Sequence, residues 1–327
     1  MSQGQPSYRL RLADREIVMQ ASETVLEALE RAGVDAASGC RNGICAKCLV
    51  QADEPPPGSQ RGLRSTLRSQ GFFYACQARP TQDLTLLSGK APTRIEATVT
   101  EIRSVAEDVV QVFLEPKDPL IFHPGQYLDV FHPSGAARSY SIASLPSTEQ
   151  LELHVRRVPD GLVSGWIHAL SPGDTVGVRG AFGQCFFASE DLEEAEPEKL
   201  LLVGAGTGLA PLLGIARDAL AKGFTGPIDL IHGGVEPSRL YLRDQLAALE
   251  RGAEALKVHH CVLRGASESE REGALDELAV ELGAPLAKSR AFLCGDEGIV
   301  RLLQRALFLA GVPSGEILAD PFSPASP

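Results

Sequence analysis

The sequence predicts three modules in series: a small mixed sheet with one helix, an antiparallel β-barrel, and an α/β domain built on a parallel sheet. Three observations carry that expectation. Near the start, Tyr8, Leu10 and Leu12 alternate with Arg9 and Arg11, and after Ala13-Asp14 the apolar positions resume at Ile17 and Met19, a hairpin pattern. In the middle, turn signals at Pro124-Gly125, Pro133-Ser134-Gly135, Asp160-Gly161 and Pro172-Gly173 cut strand-like runs at short, barrel-like intervals up to about residue 188. From Lys199 onward, apolar runs at 200–203, 228–232, 258–263 and 291–293 alternate with helical stretches, the pattern of a parallel sheet covered on both faces. A chain of 327 residues is long enough for two or three such domains.

In the first module Ser22 is expected to cap a helix whose apolar positions Val25, Leu26 and Leu29 fall at helical spacing and which stops at Gly33. Cys40, Cys45 and Cys48 follow in the run 39–48, with Cys76 downstream. This C-x4-C-x2-C spacing with a distant fourth cysteine is that of plant-type 2Fe-2S sites. The chemistry requires it: a short loop can deliver three thiolates at once while its N–H groups point at the sulfides, and Gly39 and Gly43 ease the wrap. A four-thiolate zinc site is the main alternative, but zinc sites favour paired C-x2-C knuckles and only one such pair exists. Disulfides fit less well, because the count of seven cysteines is odd and the first residues do not resemble a signal peptide. A reducing cytoplasm is expected. The run 55–58 (Pro-Pro-Pro-Gly) breaks regular structure, and Phe72, Phe73 and Tyr74 lead the chain to Cys76. The expected domains are 1–90, 94–192 and 197–327, with a linker near 89–92 and a solvated acidic connection at 190–194.

The barrel segment contains Arg138-Ser139-Tyr140-Ser141. A flavin needs a cation for its pyrophosphate, a flat aromatic surface and a hydrogen-bonding group near N5, all present within four positions. Taken alone, the same residues also describe a half-exposed strand, and Arg156 and Arg157 plain surface charges. In the third segment a strand runs into Gly204-Ala205-Gly206-Thr207-Gly208, and Leu209, Leu212, Leu213 and Ala216 then recur at helical spacing. N–H groups of such a turn converge with a helix N-terminus on one point, which suits a pyrophosphate. At the next strand end Glu236 can accept hydrogen bonds from a ribose 2′-OH and would repel a 2′-phosphate, pointing to NADH; Arg239 is a cation that could meet a phosphate instead. Cys294 ends an apolar strand, where a lone cysteine is ordinarily a small buried hydrophobe, and Cys185 and Cys261 read as packing residues. The net charge of −11, without a basic block, excludes a nucleic-acid binder, and the apolar stretch at 200–216 is interrupted by Gly204, Gly206 and Gly208 and is no membrane span.

On these motifs the first 90 residues resemble a plant-type ferredoxin domain of β-grasp fold, and the remainder resembles the flavin and pyridine-nucleotide modules of ferredoxin-NADP reductase relatives, a six-stranded antiparallel β-barrel followed by an α/β NAD domain. The whole chain is similar to the reductase components of bacterial multicomponent oxygenases. One departure is Ala46, where the family carries glycine. If the position needs φ > 0, alanine there costs on the order of 1 kcal/mol.

The resemblance implies Arg138 on the flavin diphosphate, Tyr140 along the isoalloxazine and Ser141 near N5, with Ser139 between them. It implies a second flavin contact through Val155, Arg156, Gly161, Val163 and Ser164. It implies a pyrophosphate turn at Gly204, Gly206, Thr207 and Gly208, with Ala205 replacing a family glycine. Cys294 would shape the pocket beside the nicotinamide C4, and Phe322, closing a final strand over 316–322, would gate hydride access. FAD rather than FMN follows from the N-terminal placement of the ferredoxin segment. Two electrons would pass from NADH as hydride to FAD, then singly to the cluster held by Cys40, Cys45, Cys48 and Cys76, and on to an oxygenase or hydroxylase component or a carrier ferredoxin. Phe72, Phe73 and the cluster loop are the expected docking patch, and a monomer is expected. The rival readings are direct reduction of a small molecule such as a deoxysugar intermediate, and a non-catalytic redox sensor.

Overall fold

The structure, a computed structural model, describes residues 8–13, 15–20, 22–87, 92–188 and 197–322. The linker residues 89–91, the acidic connection at 190–194 and the tail from residue 323 lie outside the described residues. The chain divides into two compact units, one of residues 1–93 with 182–184, the other of residues 94–181 with 185–327.

In the first unit β1 (Arg9–Leu12) and β2 (Arg15–Val18) form the expected antiparallel hairpin, and β5 (Leu84–Leu86) joins β1 in parallel to give a mixed three-stranded sheet. Helix α1 (Val25–Arg31) packs Val25, Leu26 and Leu29 onto this sheet against Leu10, Leu12 and Ile17. Each such side chain, when fully buried, contributes roughly 1.5–3 kcal/mol. The cap is Thr24, not Ser22: the Thr24 side chain accepts from the Glu27 N–H, and the Glu27 carboxylate accepts from the Thr24 N–H. That reciprocal box was present in the sequence as Thr-x-x-Glu and outcompetes a serine two residues earlier, which takes φ 64 instead. A further short helix, α2 (Ser65–Ser69), and a separate antiparallel pair, β3 (Leu49–Gln51) with β4 (Phe72–Tyr74), complete the unit.

In the second unit β6 (Ile95–Ala106), β7 (Val109–Pro116), β8 (Tyr127–Phe131), β9 (Ala137–Ser141), β10 (Leu151–Arg156) and β11 (Thr175–Phe182) run in the order β10-β7-β6-β11-β8-β9. An isolated bridge from Ile142 to Leu153 links the end of β9 back to β10, closing the six strands into a barrel around Val99, Val112, Leu114, Leu128, Val130 and Leu153. Helix α3 (Leu162–Ile167) follows β10.

Six parallel strands form the rest of the unit: β12 (Lys199–Ala205), β13 (Ile228–Gly234), β14 (Leu256–Val262), β15 (Arg271–Glu272), β16 (Ser289–Asp296) and β17 (Ile317–Phe322), in the order β15-β14-β13-β12-β16-β17. Period-two alternation on β12 sends Leu200 and Leu202 into the core beneath α4 (Leu209–Ala221) and α5 (Arg243–Gly252). Leu201 and Val203 enter the core beneath α6 (Leu275–Leu282) and α7 (Glu297–Ala310) on the other face. Strand order reverses between β12 and β16, so their carboxyl ends frame the crevice where such sheets bind nucleotides. Among the described residues no helix is long and apolar enough to cross a membrane.

Candidate functional site

The cysteine loop is shaped by left-handed residues. Arg41, Gly43 and Ala46 have φ of 57, 70 and 56, so the family's glycine position does require φ > 0 and Ala46 adopts it under strain. The resulting curl aims N–H groups inward: Asn42 and Cys45 donate to the Cys40 sulfur (3.4 and 3.3 Å), and Cys40 donates to the Cys45 sulfur (3.4 Å). Gly39 leaves room for that packing, since a Cβ there would lie 3.0 Å from the Cys45 sulfur. Register does the rest. Leu49 of β3 pairs with Tyr74 of β4, and the Ala75 N–H donates to the Cys48 carbonyl (3.0 Å), which brings Cys48 to Cys76 across 28 residues.

The sulfurs therefore stand in two pairs, Cys40 with Cys45 and Cys48 with Cys76. The Cys45 thiol and the loop N–H groups pull the Cys40 pKa down to about 5; Cys48 and the Gln77 amide pull Cys76 down to about 6. Among the described residues no point is ringed by three or more His, Cys, Asp or Glu groups as a single metal ion needs. Two thiol pairs fit a two-iron cluster held by two thiolates per iron. The docking patch expected at Phe72 and Phe73 needs correction, because Phe73 is fully buried in the core and Phe72 half-buried against it. Exposed beside the sulfurs are Arg41, Asn42, Ile44 and Gln77, with Arg41 paired to Glu30 (2.7 Å).

Strand alternation on β9 puts Arg138 and Tyr140 on one face and Ser139 and Ser141 on the other. The Arg138 guanidinium donates to the Ala137 carbonyl (2.7 Å) and is otherwise exposed, and burial pushes the Tyr140 hydroxyl well above its usual pKa. Ser139 donates to Asp129 (2.8 Å). In the second predicted flavin segment Val155 is buried in β10, Gly161 caps α3, Val163 is buried, and the Ser164 hydroxyl accepts from the Val158 N–H (3.1 Å), so this serine braces its own loop. Arg156 leaves β10 toward the nucleotide turn: a Cβ on Gly206 would lie 3.8 Å from its Nη1.

Ser141 is the point where the barrel meets the parallel sheet. Its hydroxyl donates to Asp320 Oδ2 (3.3 Å) on β17, and Asp320 pairs in register with Cys294 on β16. Burial pushes the Asp320 carboxyl up to about 6, although the Ser141 hydrogen bond opposes it. Cys294 is fully buried, and its sulfur lies 3.8 Å from that of Cys185 on the barrel side. Phe322 sits two residues further along β17, opposite Asp296. Asp320 escaped the sequence reading; its only signal was a carboxylate in an otherwise apolar terminal strand.

The glycine turn is a matter of clearance. A Cβ on Gly204 would stand 2.8 Å from the Cys294 carbonyl oxygen, and one on Gly208 2.3 Å, so both must be glycine for the turn to close against β16. Gly206 supplies φ 55, and Thr207 lies with it in the single 3-10 turn that leads into α4. Helix α4 in turn lies on the barrel, where Gly214 faces the Ile142 carbonyl (2.9 Å from a Cβ). A buried polar network fixes this contact: Glu152 accepts from Gln111 (2.7 Å), His154 (2.9 Å) and Arg217 (2.7 Å), and His154 Nδ1 meets the Tyr241 hydroxyl (2.9 Å). Burial alone would raise Glu152, but His154 and Arg217 outweigh it and hold the carboxyl down at about 2. An ionised Glu152 accepts a hydrogen bond from His154 Nε2–H, leaving Nδ1 to accept from the Tyr241 hydroxyl. At the end of β13 the Glu236 carboxylate meets no partner among the described residues.

Three family models match in the same order as these sites. The 2Fe-2S iron-sulfur cluster binding domain covers residues 11–81, the oxidoreductase FAD-binding domain 96–187, and the oxidoreductase NAD-binding domain 202–305. The ferredoxin–NAD(P)+ reductase component of the naphthalene 1,2-dioxygenase and salicylate 5-hydroxylase systems of Ralstonia sp. is 32% identical over 322 residues, covering 94% of this chain and 95% of that protein. The reductase subunit of an aromatic O-demethylase of Amycolatopsis sp. is 32% identical over 336 residues, covering 98% and 100%. The crystal structure of an Amycolatopsis cytochrome P450 reductase superimposes with a TM-score of 0.73 at 31% identity, covering 98% of this chain and all of that one. The cysteine pairs, the barrel and the glycine turn thus belong to one known arrangement, and the chain is a member of the family of oxygenase reductase components, oxidoreductases with a 2Fe-2S domain, an FAD-binding domain and an NAD-binding domain.

Proposed function

We propose that this reductase takes its electrons from NADH and delivers them singly to an oxygenase or hydroxylase component, or to its carrier ferredoxin, working as a cytoplasmic monomer with modules at 1–90, 94–192 and 197–327. The observation that carries the reading is the Ser141–Asp320 hydrogen bond, because it joins the end of the predicted flavin strand to the strand that lies in register against Cys294, the predicted nicotinamide residue. When bound, FAD converts a two-electron hydride into the single electrons that a 2Fe-2S cluster accepts.

The chain's own residues do the positioning. Gly204 and Gly208 let the turn lie against Cys294, so a nucleotide pyrophosphate on the turn's N–H groups sends its nicotinamide toward Ser141. Arg138 and Tyr140 share one side of β9, where they would hold the flavin, and Arg156 would add a cation near the pyrophosphate turn. Asp320, protonated below about pH 6, holds a proton one hydrogen bond from the Ser141 hydroxyl. The unpartnered Glu236 favours a ribose 2′-OH over a 2′-phosphate. The named relatives are reductase components, which supports a protein acceptor over a deoxysugar substrate.

The test is an anaerobic absorbance titration of the purified protein with NADH and, in parallel, NADPH. Bleaching of both flavin and iron-sulfur bands by stoichiometric NADH, with NADPH slower, is the expected result. Preferential bleaching by NADPH would overturn the nucleotide assignment, and flavin bleaching without iron bands would overturn the cluster.

A further inference from the structure

The two-residue turn Glu107-Asp108 between β6 and β7 belongs to the barrel, yet its carboxylate reaches the nucleotide sheet. The Asp108 carbonyl accepts from the Arg157 N–H (2.7 Å), which pins the turn, and Asp108 Oδ2 lies 3.0 Å from Arg239 Nη1. Arg239 stands on the 3-10 turn Pro237–Arg239 directly after β13. Its N–H donates to the Glu236 carbonyl (2.9 Å), and its Cβ would lie 3.3 Å from a Cβ on Gly234, the last residue of the strand. The guanidinium is therefore rooted at the strand end where an adenosine ribose is read.

We propose that Asp108 is a specificity-determining residue: by pairing with Arg239 it withdraws the cation that would otherwise meet a 2′-phosphate, and so disfavours NADPH. The inference rests on the NADH reading above and deepens it. Two carboxylates then act at one ribose, Glu236 directly and Asp108 by occupying Arg239. Both partners are partly exposed, at 51% and 31% of their side-chain surface, so solvent weakens the pair and the discrimination it gives is severalfold rather than absolute. Arg264 lies on the same edge, its N–H donating to the Val235 carbonyl (3.2 Å), and serves as the internal control.

The test uses the holoprotein as wild type, Asp108→Asn, Arg239→Ala and the double variant. Calorimetric titration with 2′,5′-ADP and with 5′-ADP reads the phosphate preference without hydride transfer, and kcat/KM for NADPH relative to NADH reads it in turnover. Asp108→Asn is expected to raise the 2′,5′-ADP to 5′-ADP affinity ratio about fivefold, to raise the NADPH to NADH ratio in parallel, and to lose both gains when combined with Arg239→Ala. An unchanged ratio in Asp108→Asn overturns the proposal, as does a gain that survives Arg239→Ala, which would assign it to Arg264 or to charge alone. Wild type that prefers NADPH would overturn the NADH reading itself; wild type that prefers NADH, with Asp108→Asn inert, overturns only the role of Asp108.

Discussion

Three of the four cluster sulfurs lie between Cys40 and Cys48, whereas the Ser141–Asp320 hydrogen bond joins residues 179 positions apart. The first site is shaped mostly by its own backbone: three left-handed residues, inward N–H groups and one strand register that fetches Cys76. The second exists only because a barrel strand, a helix N-terminus and the last strand of a parallel sheet are packed together. A locally encoded site tolerates local strain, as Ala46 shows. One assembled from distant segments depends on clearance at each contact, and Gly208 leaves no room for even a methyl group.

That contrast can be broken experimentally, most severely at the cysteines. Cys48→Ser removes one thiolate of the second pair, and reduction of cytochrome c by NADH should fall by roughly 100-fold or more with loss of iron. Reduction of the flavin by NADH should persist. Full iron content in this variant would mean the cysteines do not act as a set. In the other unit, Gly208→Ala places a Cβ 2.3 Å from the Cys294 carbonyl, and a cost of about 3 kcal/mol in a urea titration is expected. An unshifted midpoint would show that the turn can move away from β16 and that the contact is not constrained.

Asp320 sharpens the comparison through pH. Its carboxyl is raised from 3.8 to about 6 in the folded protein, so the native state binds a proton more tightly than the unfolded chain. Stability from this group is present at low pH and declines as pH rises from about 4 through 6, staying lower above that window by about 3 kcal/mol. Asp320→Asn should flatten that decline and be the more stable form at pH 8, while removing any inflection near pH 6 from the rate of flavin reduction. A wild-type stability profile flat between pH 4 and 6 would contradict the buried, hydrogen-bonded carboxyl. The smallest effect belongs to the cysteine loop: Ala46→Gly relieves φ 56 and should stabilise the first unit by at most about 1 kcal/mol, read as a small rise in thermal midpoint with an unchanged cluster spectrum.

The amino-acid sequence by itself determined what depends on neighbours along the chain. The cysteine spacing, the glycine turn after an apolar strand, the R-x-Y-S strand and the strain at Ala46 are all visible within windows of a dozen residues, since loop curvature and strand alternation are short-range properties. The Thr24 cap is equally legible, as a Thr-x-x-Glu box. Tertiary structure alone decided that Phe73 is core rather than docking surface, that Asp320 meets Ser141 in register with Cys294, that Cys185 meets Cys294, and that Asp108 of the barrel pairs with Arg239 of the nucleotide sheet. Each of these depends on which faces two segments distant in sequence present to one another, a choice made by packing and clearance rather than by any local pattern.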